Sequence, residues 1–408
     1  MQDFKYIVLG GGPSGLTVAH GLMANGLAAE EILVLEANAE VGGLCRSYIV
    51  DDAPLDIGGG HFLDIKHERV IQFLFQFMPE DEWNLFSRVS KIRLHGQLID
   101  HPLEANLWQL PTELQADYLE SIARAGCNSG QAKPMKFSEW ITWKLGEKIA
   151  AEYMKPYNEK IWNLPLDELG TYWLYKLPNV SFRETLLSCL DKNAKGTLPA
   201  HGSFLYPKKF GYGEVWLRMG KALGAQLKTE TPVSSIDLAD NVVNGQWRAT
   251  EKLITTIPWP HWQANSELPD EIATCISALE NASIDVTYNP DTLDSDAHWV
   301  YDPNLDVSHH RQLLRANFAE NSRGHWTETN SARVPPVPAA GEQRFHNEFA
   351  YPINTVNKPE LVQTIITWAE AKDVVPLGRW GHWEHMNSDI AVLEALQLAD
   401  RLLGVSVL

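Results

Sequence analysis

The sequence predicts an α/β protein in which a nucleotide-binding domain is interrupted by a helical insertion and by an antiparallel β-sheet. The chain opens with a strand-like run, a glycine-rich turn and an apolar helical pattern. Residues 104–175 carry helical periodicity with many Trp and Leu, whereas residues 280–350 alternate in short runs between turn residues. A chain of 408 residues is too long for one simple core, so two or three domains are expected.

The predicted domains are discontinuous along the chain. The nucleotide-binding domain is expected to comprise residues 1–80, 205–265 and 345–408. The helical insertion is expected at residues 104–180. An antiparallel sheet that faces the substrate is expected from residues 81–103, 181–204 and 266–344.

Composition excludes several classes of function. The formal charge of −18 argues against nucleic acid and anionic membrane surfaces as partners, because both require a basic surface. The apolar runs are strand-length, so no membrane span is expected. Only five residues precede the first strand-like run at Tyr6, so no signal peptide is expected. The cysteines (Cys45, Cys127, Cys189 and Cys275) have no metal-ligand spacing, which predicts neither a metal site nor disulfides and favours a cytoplasmic protein.

The glycine-rich turn after the first strand predicts a dinucleotide site. Gly10 allows the tight turn, Gly12 lets a pyrophosphate approach the backbone, and Gly15 lets helix and strand pack closely. The diphosphate is expected at the N-terminus of the following helix, where free N–H groups favour negative charge. The residues predicted to bind it are Gly10, Gly12, Pro13, Ser14 and Gly15.

A second strand, residues 31–35, ends in Glu36. An acidic residue at this place accepts hydrogen bonds from the ribose hydroxyls of a bound dinucleotide. The spacing between the glycine turn and Glu36 therefore supports a complete βαβ dinucleotide site.

Further glycines predict which dinucleotide binds. The segment from Val41 to Ser47 resembles the extended motif of amine oxidase and glutathione reductase-like flavoproteins, which implies FAD contacts from Gly43, Leu44 and Arg46. A second segment, 56–62, contains three consecutive glycines that let the backbone lie flat against a planar ligand. Its residues Gly60 and His61 are predicted to lie beside the isoalloxazine ring. The fold class is therefore a Rossmann-like FAD domain of the glutathione reductase type.

The C-terminal region is expected to close the flavin site. Residues 374–381 are predicted to form a strand and a loop that contains Gly378 and Arg379. A helix from 390 to 403 is expected to direct its N-terminus at the flavin, capped by Asn387 or Ser388.

Two shorter segments complete the predicted nucleotide domain. Residues 252–257 are expected to form a buried return strand of the central sheet. Residues 231–233 are typical of a strand whose backbone contacts adenine, which makes Val233 a predicted cofactor contact.

Across nearly the whole length, the sequence resembles UDP-galactopyranose mutase. The family's motifs occur here in its order, and no one of them is very specific beyond the FAD motif. The matching segments are Gly58–Phe62, Tyr157–Trp162, Phe204–Gly213, His310–Phe318, Tyr351–Asn354 and Gly378–Arg379.

This resemblance implies a redox-neutral reaction on a nucleotide sugar. Mutases of the family interconvert the pyranose and furanose forms of UDP-galactose, with reduced flavin N5 attacking the anomeric carbon and displacing UDP. The resemblance implies that Tyr157 stacks on uracil and that Trp162 lines the sugar pocket. It implies further that Arg311 clamps the diphosphate, that Tyr351 donates to the same phosphates and that His61 lies at the reacting face.

Departures from the mutase pattern keep a second interpretation open. The family's other diphosphate arginine has no match, and Arg183 lies three residues beyond that place. Thr355 stands where the family has an Asp, and Asn387–Ser388 stands in place of the family's Asp-Met pair. The segments at 56–62 and 206–213 resemble protoporphyrinogen oxidase-like and amine oxidase-like proteins about as well. An FAD oxidoreductase that takes hydride onto N5 is the alternative.

The expected partner is a small-molecule substrate, with a UDP-sugar favoured. The predicted catalytic residues are His61, Arg311 and Tyr351, and Arg183 joins the predicted substrate contacts. A homodimer is compatible with the sequence.

Overall fold

A computed structural model describes residues 1–196, 202–335 and 337–405. The strands are β1 (Gln2–Leu9), β2 (Ile32–Leu35), β3 (Ser47–Val50), β4 (Ala53–Asp56), β5 (Leu63–Asp64), β6 (Trp83–Ser87), β7 (Ser90–Leu94), β8 (Gln97–Asp100), β9 (Ser203–Pro207), β10 (Leu227–Lys228), β11 (Ile236–Asp237), β12 (Val242–Val243), β13 (Trp247–Thr255), β14 (Asn281–Asn289), β15 (Trp299–Tyr301), β16 (Arg311–Leu313), β17 (His325–Asn330), β18 (Arg344–Pro352) and β19 (Val374–Pro376).

The helices follow the same chain order. They are α1 (Pro13–Ala24), α2 (Glu68–Phe75), α3 (Thr112–Ala123), α4 (Phe137–Ile149), α5 (Lys155–Trp162), α6 (Phe182–Asp191), α7 (Gly213–Leu223), α8 (Trp259–Asn265), α9 (Asp270–Ser277), α10 (Lys358–Glu370), α11 (Gly378–Gly381) and α12 (Ser388–Leu403). Among the described residues, none of these helices combines the length and apolarity needed to cross a membrane.

A parallel sheet forms the centre of the nucleotide-binding part. Its strands are ordered β10–β2–β1–β13–β19, and the antiparallel pair β11–β12 continues from β13. The buried apolar runs in β1 and β2 suit strands that are covered on both faces. The predicted α/β class is confirmed, and the predicted return strand is the C-terminal part of β13.

Helix α1 crosses from β1 to β2 and packs against the C-terminal helix α12. A Cβ atom on Gly21 would lie 2.9 Å from Cβ of Ala399, so these two helices approach closely at small residues. The close contact places both helix N-termini at the same edge of the sheet, where β1 ends. The beginning and the end of the chain therefore jointly build one side of the dinucleotide site.

A second sheet packs on the nucleotide-binding part and is almost wholly antiparallel. Its order is β18–β14–β17–β16–β15–β7–β8, in which only the β7–β15 pairing is parallel among the described strands. Its outermost strand β18 begins at Arg344, although residues from 345 onward were predicted to belong to the nucleotide domain. This strand pairs with β14 along residues 344–352. The predicted domain boundaries remain predictions.

The predicted helical insertion contains α3, α4 and α5, with a π-helical turn at Ala150–Met154 before α5. Lys160 of α5 is fully buried, and its ammonium donates to the carbonyl oxygens of Asp302 and Asn304 at 2.9 and 2.7 Å. Asn330 Nδ2 also donates to the carbonyl of Ile161 at 2.8 Å. These bonds fix α5 against the antiparallel sheet.

Asp56, at the end of β4, joins three elements beneath the predicted flavin loop. Its fully buried carboxyl accepts from Ser47 Oγ at 2.5 Å, from the backbone N–H of Tyr212 at 3.2 Å and from the hydroxyl of Tyr206. Ser47 Oγ in turn accepts from the N–H of Gly213. Burial raises the pKa of Asp56 to about 7, although these donors oppose the rise.

Replacing Asp56 by Asn should flatten the pH dependence of stability between pH 4 and 7. The unfolded chain loses this proton near 3.8, whereas the folded protein keeps it until about pH 7. The folded state thus binds more protons in this window, so the free energy of unfolding falls as pH rises, with a slope approaching about 1.4 kcal/mol per pH unit. Denaturant unfolding at several pH values measures the difference between wild type and Asp56→Asn. Equal slopes in the two proteins would contradict the buried, protonated state.

Candidate functional site

The turn between β1 and α1 has the geometry of a dinucleotide cradle. Gly10 has φ +105°, a conformation that side chains other than glycine rarely adopt. A Cβ atom on Gly15 would clash with the carbonyl oxygen of Gly10, which explains why helix and strand need glycine there. Helix α1 begins after Gly12 with Pro13 in its first turn, and no side chain caps it.

Gly12 faces Gly43 across a narrow space. A Cβ atom built on Gly12 meets nothing closer than Cα of Gly43 at 4.0 Å, so no side chain fills the region above the helix N-terminus. Gly42 N–H donates to the carbonyl of Gly11 at 2.8 Å and holds the second glycine pair over the first. The two glycine motifs are therefore in close backbone contact beside the N-terminus of α1, whose free N–H groups favour a diphosphate.

Glu36 lies where the sequence predicts, at the end of β2. Its side chain is buried, and its carboxylate accepts from the N–H of Gly11 at 2.8 Å and from the backbone and side-chain N–H groups of Asn38. The acid thus closes the glycine turn onto β2. A carboxylate has lone pairs beyond these three bonds, which leaves capacity for ribose hydroxyls.

Leu44 and Arg46 connect the cradle to the glycine-rich loop. Arg46 Nε donates to the carbonyl of Gly43 at 3.0 Å, and its own carbonyl accepts from the N–H of Ile57. A Cβ atom on Gly58 would clash with the carbonyl oxygen of Leu44. The segment at 42–46 therefore packs directly on the loop at 58–61.

The loop at 58–61 is docked on the antiparallel sheet by one carboxylate. Glu328 Oε1 accepts from the N–H of Gly60 at 2.8 Å, and a Cβ atom on Gly59 would lie 2.9 Å from the same oxygen. His61 Nδ1 lies 3.0 Å from the carbonyl of Gly59. Burial, together with the neighbouring Arg379, lowers the pKa of His61 to about 4, so this imidazole is neutral at pH 7.

Arg379 and Gly378 reach the site from the end of β19. The predicted loop is the short helix α11, because its residues close a helical turn. Arg379 donates to the carbonyls of Ala350 and Met386, both at 2.7 Å, and a Cβ atom on Gly378 would clash with Ser14 Oγ. Burial lowers the pKa of this guanidinium.

The start of α12 differs in detail from the sequence expectation. Asn387 occupies the N-cap position, but its side chain makes no capping hydrogen bond. Ser388 is the first helical residue, and its Oγ bonds with the hydroxyl of Tyr212 at 2.7 Å. Tyr212 draws the serine hydroxyl away from the helix end, so neither predicted cap operates.

Val233 lies outside any strand, contrary to the prediction. Residues 231–235 are irregular, since the chain leaves the sheet after the short β10. The N–H of Thr231 still donates to the carbonyl of Glu36 at 2.8 Å, so this segment runs beside the ribose acid. Its contact with adenine remains a prediction.

The second half of the site lies on the antiparallel sheet, where the strand register aligns three side chains. Tyr301 of β15 lies opposite Arg311 of β16, which lies opposite Glu328 of β17. Directly opposed residues on adjacent strands point to the same face. Leu313, two residues after Arg311, nearly touches Gly60, so this face is the one that covers the glycine loop.

Arg311, which is partly exposed, forms an ion pair with the fully buried Glu328. Glu328 Oε2 accepts from Arg311 Nε at 3.0 Å and from Nη2 at 2.5 Å. Burial alone would raise the pKa of Glu328, but Arg311 and His310 lower it to about 2. Burial would likewise lower the pKa of Arg311, yet Glu328 raises it above its ordinary value. Both groups are therefore charged at every physiological pH.

Aromatic side chains surround this pair. The ring of Tyr157 lies 5.4 Å from that of Tyr301 and 6.1 Å from that of His310. The ring centroids of Tyr351 and Trp162 lie 6.1 Å apart. Arg379 Cζ lies 6.0 Å from the ring centroid of Tyr351. Burial raises the pKa of both tyrosines, so their hydroxyls remain protonated donors.

The predicted residues are not all brought to one place. Trp162 is 6% exposed and donates from Nε1 to Asn158 Oδ1 at 3.0 Å. Arg183 lies exposed in the first turn of α6, and the described contacts do not join it to Arg311. Sequence reasoning missed Glu328 and Tyr301. An acid in the alternating strand HWTETN was the available signal for Glu328.

The residues present fit the expected FAD. Glycine backbone from Gly12 and Gly43 lies at the N-terminus of α1, and the adjoining loop at 58–61 consists of glycines and the neutral His61. Among the described residues, no group of three or more His, Cys, Asp or Glu side chains could hold a metal ion.

The chain matches a known domain model at its start and a known protein along nearly its whole length. Residues 8–77 match the model of an NAD(P)-binding Rossmann-like domain. UDP-galactopyranose mutase of Mycoplasma pneumoniae is 22% identical over 419 aligned residues, covering 98% of this chain and 97% of that protein.

Solved structures agree with this relationship. A crystal structure of reduced UDP-galactopyranose mutase superposes with a TM-score of 0.86 at 20% identity, over 100% of this chain and 95% of that one. A putative protoporphyrinogen oxidase from Exiguobacterium sp. 255-15 superposes with a TM-score of 0.72 at 13% identity, over 99% of each chain. The chain is similar to both proteins and has the fold that they share, and its Rossmann-like start is confirmed.

Proposed function

We propose that this protein is an FAD-dependent enzyme that acts on a nucleotide sugar, in a reaction of the UDP-galactopyranose mutase type. The observation that carries the proposal is the cationic, tyrosine-lined site around Arg311, next to the glycine loop at 58–61. When bound and reduced, FAD would supply a nucleophilic N5 atom for the anomeric carbon of the sugar.

The side chains of the site suit the departure of a nucleoside diphosphate. Arg311 presents a planar guanidinium whose remaining N–H groups match phosphate oxygens, and its charge would stabilise the leaving group. Tyr351, protonated at all physiological pH values, would donate a hydrogen bond to the same phosphates. Tyr157 would stack on the nucleobase, and Trp162 would border the sugar.

His61 would form hydrogen bonds with the sugar as an uncharged side chain. A histidine with a pKa of about 4 is neutral at pH 7, so it can exchange hydrogen bonds with sugar hydroxyls beside the flavin. Arg183 remains a predicted substrate contact. Its side chain is exposed on α6, and the described contacts do not join it to Arg311. These roles are proposals that variants can separate.

An FAD oxidoreductase of the amine oxidase or protoporphyrinogen oxidase type, which takes hydride onto flavin N5, is the second candidate function. It is supported by the superposition on a protoporphyrinogen oxidase and by the aromatic pair of Trp162 and Tyr351. Arg311 and Arg379 weigh against an amine substrate, because an ammonium group would enter beside two buried guanidinium groups. Lys160, which is buried nearby, directs its ammonium to two backbone carbonyls.

Replacing Gly12 by Ala should abolish FAD binding while leaving the apoprotein folded. The backbone of Gly12 has φ −79°, which alanine tolerates, and no atom of the protein lies within the space that the methyl group would enter. The methyl group would instead occupy the path of the diphosphate. The ratio of flavin to protein and the apoprotein melting temperature measure the two effects. Full flavin content in Gly12→Ala would contradict this position of the cofactor.

Replacing Arg311 by Lys should weaken binding of UDP and UDP-galactose by about tenfold or more. Lysine keeps a positive charge opposite Glu328, so the fold is retained, but it lacks the planar fork. Binding is followed through the flavin spectrum of the dithionite-reduced protein as nucleotide is added. Arg323→Lys, the same exchange at an exposed ion pair with Asp51, is the control and should bind like wild type.

Two results would reject the mutase-type proposal. The first is that neither UDP nor UDP-galactose perturbs the reduced flavin of the wild-type protein. The second is that Arg311→Lys and Arg323→Lys behave alike. Oxygen consumption with amines then tests the oxidase.

A further inference from the structure

The hydrogen bonds of the buried cation Lys160 go to backbone oxygens. Its side chain is fully buried in α5, and the ammonium donates to the carbonyls of Asp302 and Asn304 at 2.9 and 2.7 Å. The carboxylate of Asp302 has other partners, the N–H of Asn304 at 2.9 Å and Nε of Arg93 at 3.2 Å. Burial lowers the pKa of Lys160 to about 8, so the amine is still mostly protonated at pH 7. Because no part of Lys160 is exposed, its effect on a bound ligand must be indirect.

The two acceptors belong to the connection that carries the chain into Arg311. Asp302 N–H donates to the carbonyl of His310 at 2.9 Å, and His310 N–H donates to the carbonyl of Glu328 at 3.0 Å. Arg311 follows directly and lies opposite Glu328 in the sheet. Lys160 is therefore linked to the strand of Arg311 by a continuous series of hydrogen bonds.

Tyr157, which is expected to stack on the nucleobase, lies on the same side of α5 as Lys160. It precedes Lys160 by three residues, a spacing that places two side chains on one helix face. Its ring lies 5.4 Å from that of Tyr301 and 6.1 Å from that of His310. Tyr157 and Lys160 thus both meet the sheet within residues 301–310.

Asn330 adds a second bond between α5 and the sheet. Its Nδ2 donates to the carbonyl of Ile161 at 2.8 Å, one residue beyond Lys160, while its Oδ1 accepts from the N–H of Ala332 at 3.0 Å. Carbonyls in the last turn of a helix have no partner within the helix, so a side-chain donor here fixes the end of α5. The helix is thereby held at the connection before β16 and at the end of β17.

We propose that Lys160 is a positioning residue that sets the separation between Tyr157 on α5 and Arg311 on β16. This inference rests on the proposed function, because it assumes that one ligand places a base at Tyr157 and phosphates at Arg311. A ligand with both parts gains affinity when its two contacts are held at the right separation, since the second contact then forms at a high effective concentration. A ligand with only one part gains nothing from that separation.

Replacing Lys160 by Met tests the proposal on the full-length, flavin-bound protein. Methionine is flexible and apolar, so it fills the buried space but leaves the carbonyls of Asp302 and Asn304 without this donor. We expect UDP affinity to fall by about 10-fold or more, whereas uridine and inorganic pyrophosphate should bind within about twofold of wild type. Titration calorimetry at pH 7 measures the three dissociation constants. Lys252→Met, the same exchange at an exposed ion pair with Asp373, is the control and should bind all three ligands like wild type.

Asn330→Ser gives an independent measurement if Lys160→Met folds poorly, as judged by flavin content and melting temperature. Serine can still accept from the N–H of Ala332, but it is too short to reach the carbonyl of Ile161. UDP affinity should therefore fall several-fold, with no change for uridine or pyrophosphate.

Two results would overturn this inference alone, provided that the wild-type protein binds UDP. The first is unchanged UDP affinity in both variants. The second is an equal loss of affinity for UDP and for uridine, which is the result expected if Lys160 only maintains the shape of α5. A wild-type protein that does not bind UDP would reject the proposed function and this inference together.

Discussion

The carboxylate of Glu328 is the contact on which the arrangement of the site depends. It is fully buried, and one oxygen holds the N–H of Gly60 while the other holds Arg311. Glu328 thereby joins the glycine loop to the antiparallel sheet, next to a bond from Asn347 Nδ2 to the carbonyl of Ile57 at 2.7 Å. Removing one partner of such a buried pair costs about 3–5 kcal/mol, since the remaining charge is left without compensation. The two halves of the site therefore keep a fixed relative position.

The ion pair of Glu328 and Arg311 also contributes to the distribution of charge in the site. Arg311 pairs with Glu328, Arg379 lies over the ring of Tyr351, and burial lowers the pKa of the nearby His61 and His310, which keeps both imidazoles neutral. The local potential is positive in a chain whose overall charge is −18. An acidic protein can hold an anionic ligand in this way, because low dielectric walls strengthen a few local charges while distant ones are screened.

Features that depend on neighbouring residues in the sequence could be predicted, whereas features that depend on contacts between distant strands could not. The cradle at Gly10–Gly15 and Glu36 belong to one local βαβ unit, so spacing alone was enough to predict them. The row of Tyr301, Arg311 and Glu328 depends on the register of three strands, which local patterns do not encode. Arg311 was found only through a family resemblance. Glu328 was missed, because an acid in a short strand is normally read as facing solvent.

Local reasoning also erred where a distant residue intervened. The predicted capping bond at the start of α12 is not formed, because Ser388 is the first helical residue and its hydroxyl bonds to Tyr212, and the Asn387 side chain makes no capping bond. Val233 lies outside the sheet because β10 contains only two residues, Leu227–Lys228. The contact between Tyr212 and Ser388 joins residues that lie 176 positions apart, which a local pattern does not encode.

The cross-strand row restricts where the chain can change in length. Side chains alternate between faces, so a one-residue insertion or deletion within β16 would present Gln312 to the cleft and turn Arg311 to the far side. The segment at 302–310, by contrast, is an irregular connection between β15 and β16. Its two ends are fixed by hydrogen bonds from Lys160 and between Asp302 and His310. Length variation during evolution should therefore accumulate inside this connection and be absent from the three residues that follow it.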